Sequence, residues 1–230
     1  MNWDAIQSGL PGYLDGAWLT LQLLGASLSI GLIAALPLAL LRASANPWAR
    51  QPVWAFTYVI RGTPMLVQLF LIYYGLAQFS AVRESALWPW LSEAWFCAVL
   101  AFGLNTCAYT VEIFAGCITA TPRGEIEAAR ALGLSRAQLH RRILLPSALR
   151  RALPAYSNEV IMMLHGTSLA SIVTLLDLTG AAREVNSRFY APFEAFLTAA
   201  VFYLALTFLL VGLFHLAERR FLTHLRPRMT

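Results

Sequence analysis

The sequence predicts an all-α membrane protein with five transmembrane helices, and three observations carry that prediction. Hydrophobic residues make up 58% of the 230 and charged residues 13%, with a mean hydropathy of +0.60, whereas about a quarter of a soluble domain is charged. The apolar residues fall in runs long enough to cross a ~30 Å hydrocarbon core at about 1.5 Å per residue. The arginines are shared unevenly between the segments joining those runs, as they are on the two sides of a membrane protein. With no internal repeat, low-complexity tract or second domain, residues 1–230 read as a single transmembrane domain.

The first span is expected at about 18–41. The 17 residues before it hold Asp4 and Asp15 but no arginine, so the basic start of a cleavable signal peptide is not expected. The polar stretch RASANPWARQP follows. The second span, about 58–77, is interrupted by Arg61-Gly62-Thr63-Pro64, with Val53 to Ile60 expected near the interface. The third is expected at about 94–118, the fourth at about 155–176 and the fifth at about 193–217, leaving a loop at about 119–152.

Orientation follows from the arginines. Arg42, Arg50, Arg61, seven between Arg123 and Arg151, and Arg219, Arg220, Arg226 and Arg228 fall on one side, against Arg83, Arg183 and Arg188 on the other. Fourteen of seventeen on one side puts the N-terminus outside and the C-terminus in the cytoplasm. Trp88, Trp90 and Trp95 then form an outer aromatic belt and Trp48 and Trp54 an inner one.

The chain holds no lysine, so it has no P-loop, whose lysine meets the phosphates of a nucleotide. Any ATP-driven role needs a separate subunit. Cys97, Cys107 and Cys117 have neither disulfide pairing nor metal-site spacing and read as small core residues. No His and acid cluster has metal-ligand spacing, and no Ser/His/Asp, HExxH or paired-carboxylate arrangement marks an enzyme.

The loop EIEAARALGLSRAQLHRRILLP, Glu125 to Pro146, is the polar exception. Thr121 before Pro122 predicts a helix start, with Thr121 as the cap, and the helix runs to Leu132. Gly133 supplies a residue tolerant of positive φ, and Ser135 with Gln138 forms a capping box for a second helix, which Pro146 kinks. The small side chains Ala128, Ala129 and Ala131 suit insertion into a partner's groove. A DNA-binding helix-turn-helix lacks room here for its three-helix core, so no nucleic acid is expected as a partner.

These residues resemble a known family. Glu127-Ala128-Ala129, Gly133, Ile143 and Leu145-Pro146 reproduce the cytoplasmic signature of permease subunits of binding-protein-dependent ABC importers. RGTPMLVQLFLIYYG (Arg61 to Gly75), LNTCAYTVEIFAG (Leu104 to Gly116) and ALPAYSNEVIMML (Ala152 to Leu164) resemble the polar amino-acid branch, closest to the M-type permeases of histidine and arginine/ornithine transporters. The resemblance implies a type I ABC importer permease fold in the bacterial inner membrane, so that the outside, with the N-terminus, is the periplasm. It implies a paralogous permease completing a heterodimeric pore, a dimer of ATP-binding subunits carrying ATP and Mg, and a periplasmic amino-acid-binding protein. Glu127, Ala128, Ala129 and Gly133 would then belong to a coupling helix seated on the ATPase. The cargo would be a basic or polar L-amino acid, namely histidine, arginine, ornithine or lysine, and the chain itself would carry no cofactor and no enzymatic site.

An amino acid crossing hydrocarbon needs its charges met, so acids within spans are the first candidates for contact. Glu159 has the better context: Gly166, seven residues on, shares its helical face and leaves space, and Thr167 and Ser168 add hydroxyls one turn deeper. The resemblance implies that the Asn158-Glu159 position contributes to a substrate site. Pairing of Glu159 with Arg61 or Arg151 is the alternative. Glu112 is expected to bridge to a cytoplasmic arginine. Asn105 either lines the pathway or bonds a neighbouring helix. Thr63 and Gln68 are secondary candidates because freed backbone groups at the Gly62-Pro64 break are tolerable beside a polar cavity. His165 is expected to face another helix. The rival reading is a gradient-driven secondary transporter or channel, which predicts inverted repeats that five spans without a repeat do not supply.

Overall fold

The structure, a computed structural model, describes residues 3–222; the expected cytoplasmic Arg226 and Arg228 and the interfacial His224 lie outside the described residues. The helices are α1 (Trp3–Arg42), α2 (Pro47–Arg61), α3 (Met65–Phe70), the short α4 (Ser80–Arg83) and α5 (Trp88–Leu91), α6 (Ala94–Thr119), α7 (Arg123–Ala131), α8 (Arg136–Leu139), α9 (Leu145–Gly166), α10 (Leu178–Phe189) and α11 (Pro192–Phe221). Three of them, α1, α6 and α11, are each long and apolar enough to cross a membrane. Two bent pairs bring the number to five if each is one span: Pro47–Arg61 with Met65–Gln78, bent by 100°, and Ala137–Val173 with Leu178–Phe189, bent by 48°.

α1 begins well before the expected position 18. Its early turns are too mixed in polarity to read as a span, but Ala5, Gly9, Tyr13, Gly16 and Thr20 recur every three or four residues and are all buried, which is the stripe of a packed helix. That stripe meets α10, a helix not foreseen in the sequence, through its own buried Leu178, Ala181, Ala182 and Val185. The Tyr13 hydroxyl donates to the Ala195 carbonyl of α11 at 2.8 Å and ties the same end to a third helix.

Further along α1, Ser27, Gly31, Ala35 and Ala39 recur every four residues, all buried, and face α6. Small residues let two backbones approach closely where lipid supplies no hydrophobic drive for association. At Gly31 the approach is close: a Cβ there would overlap the Thr106 Cγ2 and stand 3.2 Å from both the Cys107 nitrogen and the Gly103 oxygen. Cys97 and Cys107 are buried in α6 as small core residues, without disulfides. By contrast α11 leaves Leu204, Phe208, Leu209 and Leu213 exposed, the pattern of a helix facing lipid or another subunit.

The sequence places the fourth span at about 155–176, but α9 starts at Leu145 and continues past Gly166 as a 3₁₀ segment, Thr167–Val173. The helix therefore rises without interruption out of the expected loop. Pro146 sits in its first turn, after a π-helical turn over His140–Leu144. Widening the helix there relieves the clash of a proline ring with the preceding turn.

The hairpin forms with two corrections. Thr121 is not the cap: α7 starts after Pro122, with no side-chain cap, and the Thr121 hydroxyl instead accepts from Arg151 Nη2 at 2.6 Å. The other end matches expectation. Gly133 adopts φ +74°, its N–H donates to the Arg130 carbonyl, and Leu134 N–H reaches back to Ala129, a complete Schellman motif. Ser135 and Gln138 exchange the two hydrogen bonds of a capping box, at 2.9 and 3.3 Å. Ala129, expected to face a partner, is buried in the hairpin's own core with Leu139 and Leu144, whereas Glu127, Ala128, Leu132 and Gly133 are exposed.

Candidate functional site

The break at Gly62-Thr63-Pro64 turns the chain through 100° and frees backbone carbonyls at the end of α2. Gln68, one turn into α3, takes up that role. Its Nε2 donates to the Ile60 carbonyl (2.6 Å), the Thr63 carbonyl (3.1 Å) and the Thr63 hydroxyl (2.8 Å). Its Oε1 accepts from Asn105 Nδ2 at 3.0 Å, so the broken segment is fastened to the middle of α6. Asn105 makes the bond to a neighbouring helix and also lines the cleft beside the break. Such a turn is stable at membrane depth only where side chains satisfy the backbone and a polar cavity adjoins it.

The cavity is there. A cleft of about 750 Å³ lies between the break, α6 and α9, and is lined among others by Arg61, Thr63, Asn105, Tyr109, Asn158 and Glu159. Glu159 is buried, 8% exposed, and makes no ion pair within 4 Å among the described residues. The Thr106 side chain and the Arg61 charge act on it, although the Thr106 hydroxyl completes no hydrogen bond of good geometry. Arg61 lies over the Tyr109 ring, 5.0 Å from its centroid. Arg151 is held elsewhere by the Cys117 carbonyl and Thr121. Neither arginine therefore neutralises Glu159 by direct contact. The cleft thus presents a buried carboxylate and a guanidinium in one space, the arrangement that meets both ends of a zwitterion.

Four of the candidates named from sequence, Thr63, Asn105, Asn158 and Glu159, line this cleft. Gln68 stands behind it and shapes the break. Thr167 and Ser168 do not reach it. Thr167 is fully buried and donates to the Leu164 carbonyl, while Ser168 lines a separate cleft with His165 and Thr207. The physical reason is helical position: at about 100° per residue Gly166 returns to the Glu159 face, but Thr167 lies ~80° from it and Ser168 on the opposite face, and the 3₁₀ segment that starts at Thr167 does not bring them back. Gly166 does not leave space either, since Met65 fills it. The sequence offers Arg61 only as a partner for Glu159, whereas here it lines the cleft without pairing with Glu159 within 4 Å; its place at the mouth of a helix break was the available signal.

Other polar groups have structural partners. Glu112 accepts from Arg42 Nε at 2.8 Å and from the Thr57 hydroxyl at 2.6 Å, the bridge expected of it. His165 Nε2 is 3.2 Å from the Thr207 hydroxyl of α11, so it faces another helix as expected. A cleft of about 760 Å³ near the joint of α1 and α2 carries Arg42 and Arg50 and no acid, the wrong charge for a cation.

Comparison with known proteins gives one consistent picture. Residues 27–223 match the family described as binding-protein-dependent transport system inner membrane component. The chain is 50% identical over 221 residues to the histidine/lysine/arginine/ornithine transport system permease protein HisM of Escherichia coli (strain K12), covering 95% of this chain and 93% of that protein. It is 45% identical over 230 residues to the nopaline transport system permease protein NocM of Agrobacterium fabrum, covering 100% of this chain and 95% of that one. Among solved structures, a chain of an amino acid ABC transporter crystallised with histidines superposes with a TM-score of 0.85 at 34% identity, covering 96% of this chain and 99% of that one.

Proposed function

The chain belongs to the family of binding-protein-dependent transport system inner membrane components, and we propose on that premise that it is a pore-forming permease subunit of an ABC importer moving basic and polar L-amino acids into the cytoplasm. The observation that carries the substrate class is the cleft in which Glu159 and Arg61 face one space. The buried carboxylate of Glu159 takes the ammonium or guanidinium group of the cargo, and Arg61 takes its carboxylate. Asn158 and Thr63 add polar contacts at the edges, and Asn105 and Gln68 hold the break in place. The relatives named above for histidine, lysine, arginine and ornithine, and for nopaline, carry solutes that pair a cationic group with a carboxylate.

In this reading five spans place the N-terminus outside and the C-terminus inside, as the arginine distribution requires. A paralogous permease completes a heterodimeric pore, a periplasmic binding protein delivers the amino acid, and two ATP-binding subunits supply ATP and Mg from separate chains. The absence of lysine from this sequence accords with that division of labour. The exposed edge of α7 and the turn after it, Glu127, Ala128 and Gly133, passes the movement of the ATPase to the spans, so the pore is a two-state element biased from both faces of the membrane.

Reconstitution of the chain with its genomic neighbours in proteoliposomes, with labelled arginine or histidine outside, tests the proposal. Uptake should require ATP within the vesicles and the binding protein outside. Uptake by this chain alone, driven by a proton or sodium gradient, would overturn it in favour of a secondary transporter.

A further inference from the structure

The start of α7, the π-helical turn His140–Leu144 and the first turns of α9 enclose a further pocket of about 280 Å³, lined by Glu125, Arg142, Pro146, Ser147, Arg150 and Arg151. Three guanidinium groups share it with one carboxylate, and that carboxylate already accepts from Ser147 at 3.4 Å. Arg142 and Arg150 are exposed and form no ion pair among the described residues. Arg151 is fixed by Nη2, which donates to the Cys117 carbonyl (3.3 Å) and the Thr121 hydroxyl (2.6 Å). Its Nε is buried and has no hydrogen-bond partner.

Three guanidiniums against one carboxylate leave the pocket with a surplus of positive charge and of N–H donors, which calls for an anionic acceptor. The acceptor that suits this pocket is an anion with several oxygens in tetrahedral array, because three guanidiniums converging from two elements match a phosphate group better than a single carboxylate. The depth is also right. Arg151 bonds the last turn of α6, at the boundary where lipid headgroups lie if α6 spans the bilayer, and basic pockets on the cytoplasmic side of membrane proteins attract anionic headgroups.

We infer that this pocket binds a phosphate group at the inner surface of the membrane, through Arg142, Arg150 and Arg151, with the phosphodiester of an anionic phospholipid and free phosphate as the two possible sources. The inference uses the inward placement of the 119–152 region and is independent of which solute is carried. It goes beyond the proposed transport function because the pocket lies apart from the Glu159 cleft and shares none of its lining residues.

The test measures binding rather than transport, so its failure and the failure of the transport reading are distinguishable. The full-length chain in detergent is titrated with short-chain phosphatidylglycerol, with short-chain phosphatidylcholine and with inorganic phosphate. Saturable binding of phosphatidylglycerol, weakened about tenfold in Arg142→Gln/Arg150→Gln and unchanged in Arg141→Gln, supports the inference. Competition by inorganic phosphate at equal potency assigns the site to the free anion, and its absence assigns it to lipid. If the double variant cannot be purified, Arg142→Gln and Arg150→Gln are measured singly, each with a smaller loss expected. No saturable binding of either phosphate compound, or equal losses in the pocket variants and Arg141→Gln, overturns the inference.

Discussion

Gly166 and Met65 pack so closely that a Cβ on the glycine would overlap the terminal methyl of the methionine. Met65 is the first residue of α3 after the break, and Gly166 is the last residue of α9 before the 3₁₀ segment, so one contact joins the two irregular points of the fold. The neighbour that must yield is the free end of a flexible side chain that also lines the Glu159 cleft. Gly166→Ala should therefore cost under about 1 kcal/mol of stability and push Met65 toward the cargo. The expected result is a nearly normal unfolding midpoint with substrate affinity in uptake assays weakened severalfold. Gly31→Ala should behave oppositely, because the α6 backbone is also in the way; it should cost about 1–3 kcal/mol and lower the yield of folded protein. Equal stability losses in the two variants would contradict this account.

Replacement of Gln68 tests whether the break is a supported feature or a loose one. Gln68→Leu keeps the volume but removes three donated bonds to Ile60 and Thr63 and the acceptor for Asn105. Leaving buried polar groups unpaired costs about 1–3 kcal/mol. The variant should melt earlier in detergent and transport every cargo more slowly, since the turn that shapes the cleft is weakened for all of them. Gln68→Glu should be no milder although it keeps an acceptor for Asn105, because it replaces the donor with an oxygen facing the Ile60 and Thr63 carbonyls. A Gln68→Leu protein with unaltered melting would show that the break holds itself.

Glu159→Gln should separate cargoes by charge. The substitution keeps the shape of a residue that contacts no cation within 4 Å among the described residues, so the fold should survive it. Uptake of arginine and lysine should fall at least tenfold, a difference of about 1.4 kcal/mol, while glutamine uptake changes less. Competition assays in proteoliposomes decide the matter. An equal fall for arginine, histidine and glutamine would remove Glu159 from recognition of the cationic side chain.

The parts legible in the sequence are those governed by local chemistry. The break at Gly62-Pro64, the positive φ of Gly133 and the Ser135–Gln138 capping box each follow from what a few neighbouring residues can do, and each is found. Glu159, Asn158, Asn105 and Thr63 also meet in one cleft, because an unpaired polar group within a span has few places to go but a polar cavity. What could not be read depends on tertiary context. α10 and the early turns of α1 are amphipathic rather than wholly apolar, and they bury one face against each other, so hydropathy alone passes over both. The turn of Thr167 and Ser168 away from the cleft follows instead from helical position, which puts them ~80° and ~180° round from Glu159.

The same tertiary context changes which residue of the hairpin should meet an ATPase. Helical spacing puts Ala128 and Ala129 side by side, and nothing local says which faces out. The Schellman turn at Gly133 folds α8 and the following π turn back onto α7, and this covers Ala129 with Leu139 and Leu144. Ala128 stays exposed beside Glu127, with Leu132 80% exposed at the tip. In a Cys117→Ser background, Ala128→Cys should form an oxidative cross-link to a cysteine placed in the groove of the ATP-binding subunit, with a yield that changes when ATP is added. Ala129→Cys should not cross-link and should loosen the hairpin instead, because enlarging a packed core position costs about 1–3 kcal/mol. The readout is the shifted band on a non-reducing gel. Cross-linking at position 129 but not at 128 would mean that the hairpin docks by its inner face, and it would have to open to do so.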